Sequence, residues 1–227
     1  MNKKKLFALA MVVCMLAILS FSTLAWFSDA DEVTNYFEVA TSDDPSDPDD
    51  IFSVDVWEYV DTDGNGQIDD ADKDQDGITY NDILPGGRYH KEPHVENTGA
   101  YSQWIRVKVT VSCASVFQTA LDKGQGYDLS KIFEGHDETA WTRGEIAADT
   151  TADTLTYVYY LNYRLEPTED ATLFHTVVMP AELTQDDMAA MGGAFSINVV
   201  AEAVQGDNTG TTAQEAFELV ESTQTID

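Results

Sequence analysis

The chain has 227 residues, of which 41 are acidic and 12 basic, and its formal net charge at pH 7 is −29. This charge excludes nucleic acid as a partner, because the phosphate backbone would be repelled. It favours a soluble protein whose surface attracts divalent cations. Only Cys113 lies outside the N-terminal apolar run, so we expect no disulfide and a fold stabilised by core burial and metal binding.

The N-terminus has the layout of a secretory signal peptide. Three lysines precede an apolar run over residues 6–19, and small and polar residues follow up to residue 25. We expect cleavage between Ala25 and Trp26, which removes residues 1–25 and takes the formal charge to −32. An uncleaved membrane anchor is the alternative, but the polar end of the run favours cleavage and a mature chain without a membrane segment.

The mature chain divides into three parts. Residues 26–40 form an apolar N-terminal segment, and residues 41–50 form an acidic linker whose only apolar residues are prolines. Residues 51–227 have the length of one β-sandwich domain.

Period-two alternation is the main secondary-structure signal in that domain. It is clearest at residues 104–111, where Ile105, Val107, Val109 and Val111 alternate with polar or aromatic residues. Further strands are predicted at residues 52–60, 155–165, 173–178 and 195–204, and short helices at residues 115–122, 183–191 and 213–222. Thr184 and Thr212 are candidate N-caps of the last two helices. The pattern predicts an all-β, antiparallel sandwich with a few short decorating helices.

An aspartate-rich loop over residues 61–82 is the most specific chemical motif. Oxygen-bearing side chains recur at positions one, three, five, nine and twelve of residues 61–72, with Gly66 at the sharp turn, as in calcium loops. The pattern restarts at Asp72 as an incomplete second site. A solvated acidic hairpin tip is the alternative, but so many aspartates repel one another without a cation. The sequence therefore predicts Ca²⁺ bound by Asp61, Asp63, Asn65, Gln67 (through its carbonyl), Asp69, Asp72, Asp74 and Asp76.

The mature N-terminal segment is apolar enough to add a strand to a β-sheet. It could complete its own sheet or that of a second copy, and in the second case head-to-tail contacts propagate into a filament. Cleavage would then release the strand from the membrane. The residues predicted to form this assembly strand are Trp26, Phe27, Val33, Tyr36, Phe37 and Val39.

No catalytic constellation is recognisable, and we expect the protein not to be an enzyme. His90 and His94 lack the His-Glu-x-x-His pattern of zinc helices, and Pro93 blocks a helix. We expect both histidines to lie at the surface near a turn. We expect His136 and His175 to have no partner at the sequence spacing of metal ligands.

Two basic residues lie in the strand predicted at residues 104–111. We expect these residues, Arg106 and Lys108, to balance nearby acidic residues.

Several short motifs, in order, resemble the camelysin/TasA family of Gram-positive bacteria. The resemblance implies a jelly-roll-like sandwich that serves as a biofilm-matrix fibre subunit or a spore-coat-associated surface protein. It also implies a signal peptidase of the SipW type as the processing partner. The motifs are Leu24-Ala25-Trp26-Phe27-Ser28-Asp29, Leu84-Pro85-Gly86-Gly87, Val95-Glu96-Asn97-Thr98-Gly99, Trp104-Ile105-Arg106-Val107-Lys108-Val109, and Val200-Ala201-Glu202-Ala203-Val204-Gln205 with Gln214-Glu215-Ala216-Phe217.

Two functions remain as hypotheses: a secreted fibre subunit, and a monomeric calcium-stabilised adhesion or binding module at the cell surface. A camelysin-like metallopeptidase is a weaker third. The C-terminus has no sorting signal, so retention at the cell would need polymerisation or a matrix or cell-wall partner. This expectation favours the fibre subunit.

Overall fold

The computed structural model describes residues 28–34, 53–59, 72–75, 78, 80, 83–123, 129–192 and 195–224. For residues 28–34, 122–123, 129–130 and 223–224 it gives only the course of the backbone. The signal peptide and the acidic linker predicted above lie outside the described residues.

Twelve strands are described, and all their pairings are antiparallel. They form a five-stranded sheet in the order β1-β12-β6-β9-β8, a four-stranded sheet β10-β5-β2-β3 and a three-stranded sheet β4-β11-β7. The predicted all-β antiparallel class is confirmed. The strands are β1 (Ser28–Thr34), β2 (Val54–Tyr59), β3 (Lys73–Asp74), β4 (Arg88–His90), β5 (His94–Asn97), β6 (Gln103–Ser112), β7 (Phe133–Glu134), β8 (Trp141–Asp149), β9 (Thr154–Leu161), β10 (Asp170–Thr172), β11 (Thr176–Val178) and β12 (Ile197–Gln205).

The centre of the five-stranded sheet follows directly from the alternation in the sequence. In β6, Ile105, Val107, Val109 and Val111 are fully buried, while the residues between them are partly exposed. β12 and β9 flank β6 and repeat the alternation. One face of this sheet therefore forms one side of the hydrophobic core.

The second layer comes from the two smaller sheets. Both smaller sheets contribute to the same core cluster as the buried residues of β6. The four-stranded sheet contributes Val54, Val56 and Val95, and the three-stranded sheet contributes Phe133 and Val177. The two layers thus share one core, as expected of a β-sandwich.

Among the described residues, three short helices and a 3-10 turn before β7 decorate the sandwich. In α2, Thr184 and Asp187 form a capping box, and at α3 the Thr212 hydroxyl accepts a hydrogen bond from the Glu215 backbone N–H. The predicted helices and both predicted caps are confirmed. The helices are α1 (Ala114–Lys123), α2 (Gln185–Ala190) and α3 (Ala213–Gln224), with the 3-10 turn at Leu129–Ile132.

Asn97 joins the two layers at the Asn-Thr-Gly turn. Its buried side chain donates to the carbonyls of Tyr101 and Leu165 and accepts from Gly99 N–H and the Gln103 amide. All four bonds are 2.7–2.9 Å long. One amide thereby bonds four polar groups, of which the Gly99 N–H and the Gln103 amide also donate to the Ser53 carbonyl.

Candidate functional site

The N-terminal strand β1 lies at one edge of the five-stranded sheet. All seven of its residues pair with β12 of the same chain, from Ser28 opposite Val204 to Thr34 opposite Asn198. Of the predicted assembly residues, Val33 lies in β1; Trp26, Phe27, Tyr36, Phe37 and Val39 lie outside the described residues. The structure therefore shows the N-terminal strand completing its own sheet.

The opposite edge of this sheet, β8, is built differently. It carries a bulge between Arg143 and Ile146, and every residue after Trp141 is partly or fully exposed. Bulges and charged residues at an edge obstruct pairing with another strand. A further strand would therefore pair poorly with β8. The edge of β12, which β1 covers in this structure, is better suited to accept a strand.

Arg106 and Lys108 lie on the face of β6 opposite the core, where α3 packs. Both contact Glu202 of β12 at 2.5 Å, and Arg106 also binds Glu221 of α3 at 2.6 Å. Burial alone would lower the pKa of Arg106, but its bonds to Glu221 and Glu202 outweigh burial and the pKa is raised. The predicted balancing of local acids is confirmed.

Two of the eight predicted calcium ligands are described. Asp72 is buried, with 1% exposure, and Asp74 is half-buried in β3 opposite Glu58 of β2. The remaining six (Asp61, Asp63, Asn65, Gln67, Asp69 and Asp76) lie outside the described residues. Among the residues that the structure does describe, no three His, Cys, Asp or Glu side chains form a group that could hold a metal ion. Both side chains have the hard oxygens that Ca²⁺ binds, and the calcium site stays a prediction.

A shallow cavity of about 380 Å³ lies beside Asp74. Trp57 is one of its lining residues: the Trp57 indole donates to Glu96 at 2.9 Å, and the Lys73 ammonium lies 4.2 Å from the Trp57 ring centre. Carboxylates outnumber the single cation, so the cavity is acidic. Its lining residues are Asp55, Trp57, Lys73, Asp74, Gln75, Glu96 and Thr98.

Three of the four histidines meet at one carboxylate, Glu92. Its oxygens lie 3.0 Å from His175 Nδ1, 3.4 Å from His94 Nε2 and 3.5 Å from His90 Nε2. The prediction that His94 is a surface residue is wrong, because His94 is 8% exposed. Its ring stacks on that of Trp57, and the two ring centres lie 4.1 Å apart. His175, predicted to have no partner at metal-ligand spacing in the sequence, lies beside the Glu92 carboxylate.

Sequence reasoning missed this cluster because Asp170 and His175 lie far along the chain from the segment that holds His90, Glu92 and His94. His94 Nδ1 lies 2.8 Å from Asp170 Oδ2, and 76 residues separate the two. β4, β5 and β11 bring the three histidines together, and these strands are three or four residues long. Such strands leave too little alternation to be read from sequence.

The chain was compared with known proteins at three levels. No family model, no curated protein and no solved structure matches it. Within the described part of the chain, no helix has the length and apolar character needed to cross a membrane.

Proposed function

We propose that the chain is an exported structural protein that assembles into extracellular biofilm-matrix fibres through its mature N-terminal strand. The observation that carries the proposal is the position of β1: it is the first described element and the edge strand of the large sheet. Residues 28–34 make their pairing with β12 through the backbone. The same residues of a second copy can therefore replace them with little change in hydrogen bonding.

The connection from β1 to the rest of the fold supports exchange between copies. Residues 35–53 separate β1 from β2. A connection of this length can reach up to roughly 60 Å when extended, several times the roughly 10 Å between packed sheets. Each copy could thus fill the β12 edge of the next and leave its own edge for a third, which gives a head-to-tail polymer.

The finer parts of the proposal rest on the sequence. Cleavage between Ala25 and Trp26 by a signal peptidase of the SipW type would free the strand, and other matrix or cell-wall components would be partners. The order of the motifs resembles that of the camelysin/TasA family, which implies a jelly-roll-like arrangement of the strands. The acidity of the chain is in keeping with an extracellular location where calcium is abundant.

A calcium-binding loop completes the proposal. Asp72 and Asp74 would close the site on the side of β2, with Asp61, Asp63, Asn65, Gln67, Asp69 and Asp76 supplying the other oxygens. The bound ion would offset the repulsion among the carboxylates and stabilise the chain between β2 and β3. No step of assembly is assigned to it.

A monomeric, calcium-stabilised adhesion or binding module is the alternative function. The observation that favours it is the pairing of β1 with β12 of its own chain, which leaves that edge covered without a second copy. The two functions differ in whether β1 pairs with β12 of its own chain or with β12 of another copy.

Electron microscopy of residues 26–227 in millimolar calcium, beside a version without residues 26–39, tests the proposal. Fibres from the longer protein and dispersed particles from the shorter one are expected. As a matched control, replacing residues 41–50 by a Gly/Ser linker of equal length should leave fibre formation intact, because the linker serves only as a tether. Dispersed particles from all three proteins would overturn the fibre proposal and support the monomeric module.

A further inference from the structure

Lys91 and Glu58 form an ion pair that is completely enclosed. Their side chains are 1% and 0% exposed, and Lys91 Nζ contacts Glu58 Oε1. Glu58 lies in β2, and Lys91 lies between β4 and β5. The pair therefore joins two segments that are 33 residues apart in the chain.

An ordinary ion pair explains this arrangement poorly. The second oxygen of the carboxylate, Glu58 Oε2, is buried and has no hydrogen-bond partner among the described residues. Removing two charges from water costs several kcal/mol per ion, which their attraction offsets only when the remaining polar atoms are satisfied. The unsatisfied oxygen adds a further penalty.

The surroundings hold the two groups in place. The Lys91 backbone N–H donates to the His175 carbonyl at 3.3 Å, and β2 is hydrogen-bonded to β3 on one side and β5 on the other. The Tyr80 hydroxyl donates to the His90 carbonyl, next to Lys91. Burial first, and then the charge of Glu58, raise the pKa of Tyr80, so its phenol stays protonated. Asp74 of β3 is paired with Glu58 in the register of the two strands.

We propose that Glu58 and Lys91 condense into an intramolecular isopeptide bond. Lys91 Nζ attacks Glu58 Cδ, the new Nζ–Cδ bond forms, and the Cδ–Oε2 bond breaks. Oε2 leaves as water with two of the three ammonium protons, and the third stays on the amide nitrogen. The step needs no oxidant, reductant or co-reactant. It converts two buried charges and an unsatisfied oxygen into one neutral amide.

The bond would act as a covalent brace in a domain that contains one cysteine, Cys113, and therefore no disulfide within the domain. It closes a loop between β2 and the segment before β5, and the aspartate-rich residues lie within that loop. Closing such a loop lowers the entropy of the unfolded chain, as a disulfide does. An exported protein would gain resistance to unfolding without depending on a redox environment.

The intact mass of the folded, exported chain tests the proposal directly. We expect a mass lower by one water molecule than that of its sequence, counted from whichever residue it begins with. Lys91→Arg should have the full mass of its sequence, because a guanidinium does not attack a carboxyl group. Lys131→Arg, at an exposed lysine, should still lack one water.

Tryptic digestion locates the bond. Trypsin should no longer cut after Lys91, and the peptide of residues 89–106 should remain joined to the peptide that ends at Lys73. A full intact mass of the unmodified sequence, together with normal cleavage after Lys91, would overturn the proposal. The decisive measurement uses the unsubstituted protein, so it does not depend on whether Lys91→Arg folds.

Discussion

Val33 of β1 lies directly opposite Val199 of β12, at the edge of the five-stranded sheet. Val199 is fully buried on the core face of β12. The same register pairs Asp31 with Ala201 and Asp29 with Ala203, so the backbone of β1 follows this edge of the sheet along its whole length.

A disulfide between positions 33 and 199 should lock β1 to its own chain. Val33→Cys with Val199→Cys, in a Cys113→Ser background and oxidised as a monomer, should not form fibres because β1 cannot leave β12. Reduction should restore assembly, measured by sedimentation and electron microscopy. Fibres from the oxidised monomer would show that β1 exchange is not needed.

Calcium should raise the melting temperature of the mature chain, because an ion that binds only the folded state stabilises it by linkage. The increment in stability is about 2.7 kcal/mol when calcium is at a hundred times its Kd. Asp63→Ala with Asp72→Ala should abolish the increment, measured by calorimetry with and without chelator.

The quantity to compare is the rise in melting temperature on adding calcium, in the unsubstituted chain and in the variant. The melting temperatures themselves are not compared, because loss of the buried Asp72 also alters stability without calcium. Glu138→Ala with Glu182→Ala removes two exposed carboxylates elsewhere and should keep the increment. An unsubstituted chain that does not respond to calcium would contradict the metal assignment.

Asn97→Ala should be strongly destabilising. Its side chain bonds two carbonyls, one backbone N–H and the Gln103 amide, and truncation removes all four bonds of a fully buried side chain. The expected loss is about 3 kcal/mol in the free energy of unfolding. Asn162→Ala, which removes an exposed amide bonded to Thr142 and Thr139, should cost much less. Denaturant titration measures both, and equal losses would contradict the assigned role of Asn97.

The sequence predicted the parts of the fold that local pattern controls. The alternation in β6 and the caps Thr184 and Thr212 were read correctly, because each depends on neighbours in the chain. β8 was not predicted, since it lies at an edge and shows no buried face beyond Trp141. The predicted strand at residues 155–165 ends at Leu161, and that at 173–178 begins at Thr176.

Arg106 fastens α3 to the sheet. It binds Glu202 and Glu221 and lies 4.2 Å from the ring centre of Phe217 in α3. Arg106→Met should destabilise the docking of α3 by about 1 to 2 kcal/mol. Hydrogen exchange should then be faster in α3 than in β6, whereas Arg143→Met on the exposed edge strand should leave α3 protected. Unchanged exchange in α3 would contradict this assignment.

Asp137 should make stability depend on pH in the acid range. The Thr139 hydroxyl, then the backbone N–H groups of Thr139 and Ala140, hold its pKa below the ordinary value. A lowered folded pKa contributes stability above the ordinary pKa, and that contribution is lost as pH falls through the folded pKa. Asp137→Asn should therefore lower the melting temperature at neutral pH but not in strong acid. A difference independent of pH would contradict this.

Fewer features of the candidate site than of the fold could be predicted from the sequence. The loop template predicted Asp72 and Asp74 as calcium ligands from spacing alone, and this stays a prediction, whereas the burial of Glu58 with Lys91 was not anticipated. Charged residues in alternating segments are normally assigned to the solvent face, and only the packing of two layers shows that one pair is enclosed. The apolar N-terminal segment predicted a strand, but its sequence did not decide between its own sheet and that of a second copy.

Crosslinking between two single-cysteine chains tests strand exchange most directly. One chain carries Val33→Cys and the other Val199→Cys, both in a Cys113→Ser background, and fibres are grown from an equal mixture under reducing conditions. After oxidation, the account predicts a disulfide-linked pair containing one chain of each kind, because residue 33 of one copy lies opposite residue 199 of the next. Fibres that form but yield no such pair would contradict assembly through the N-terminal strand.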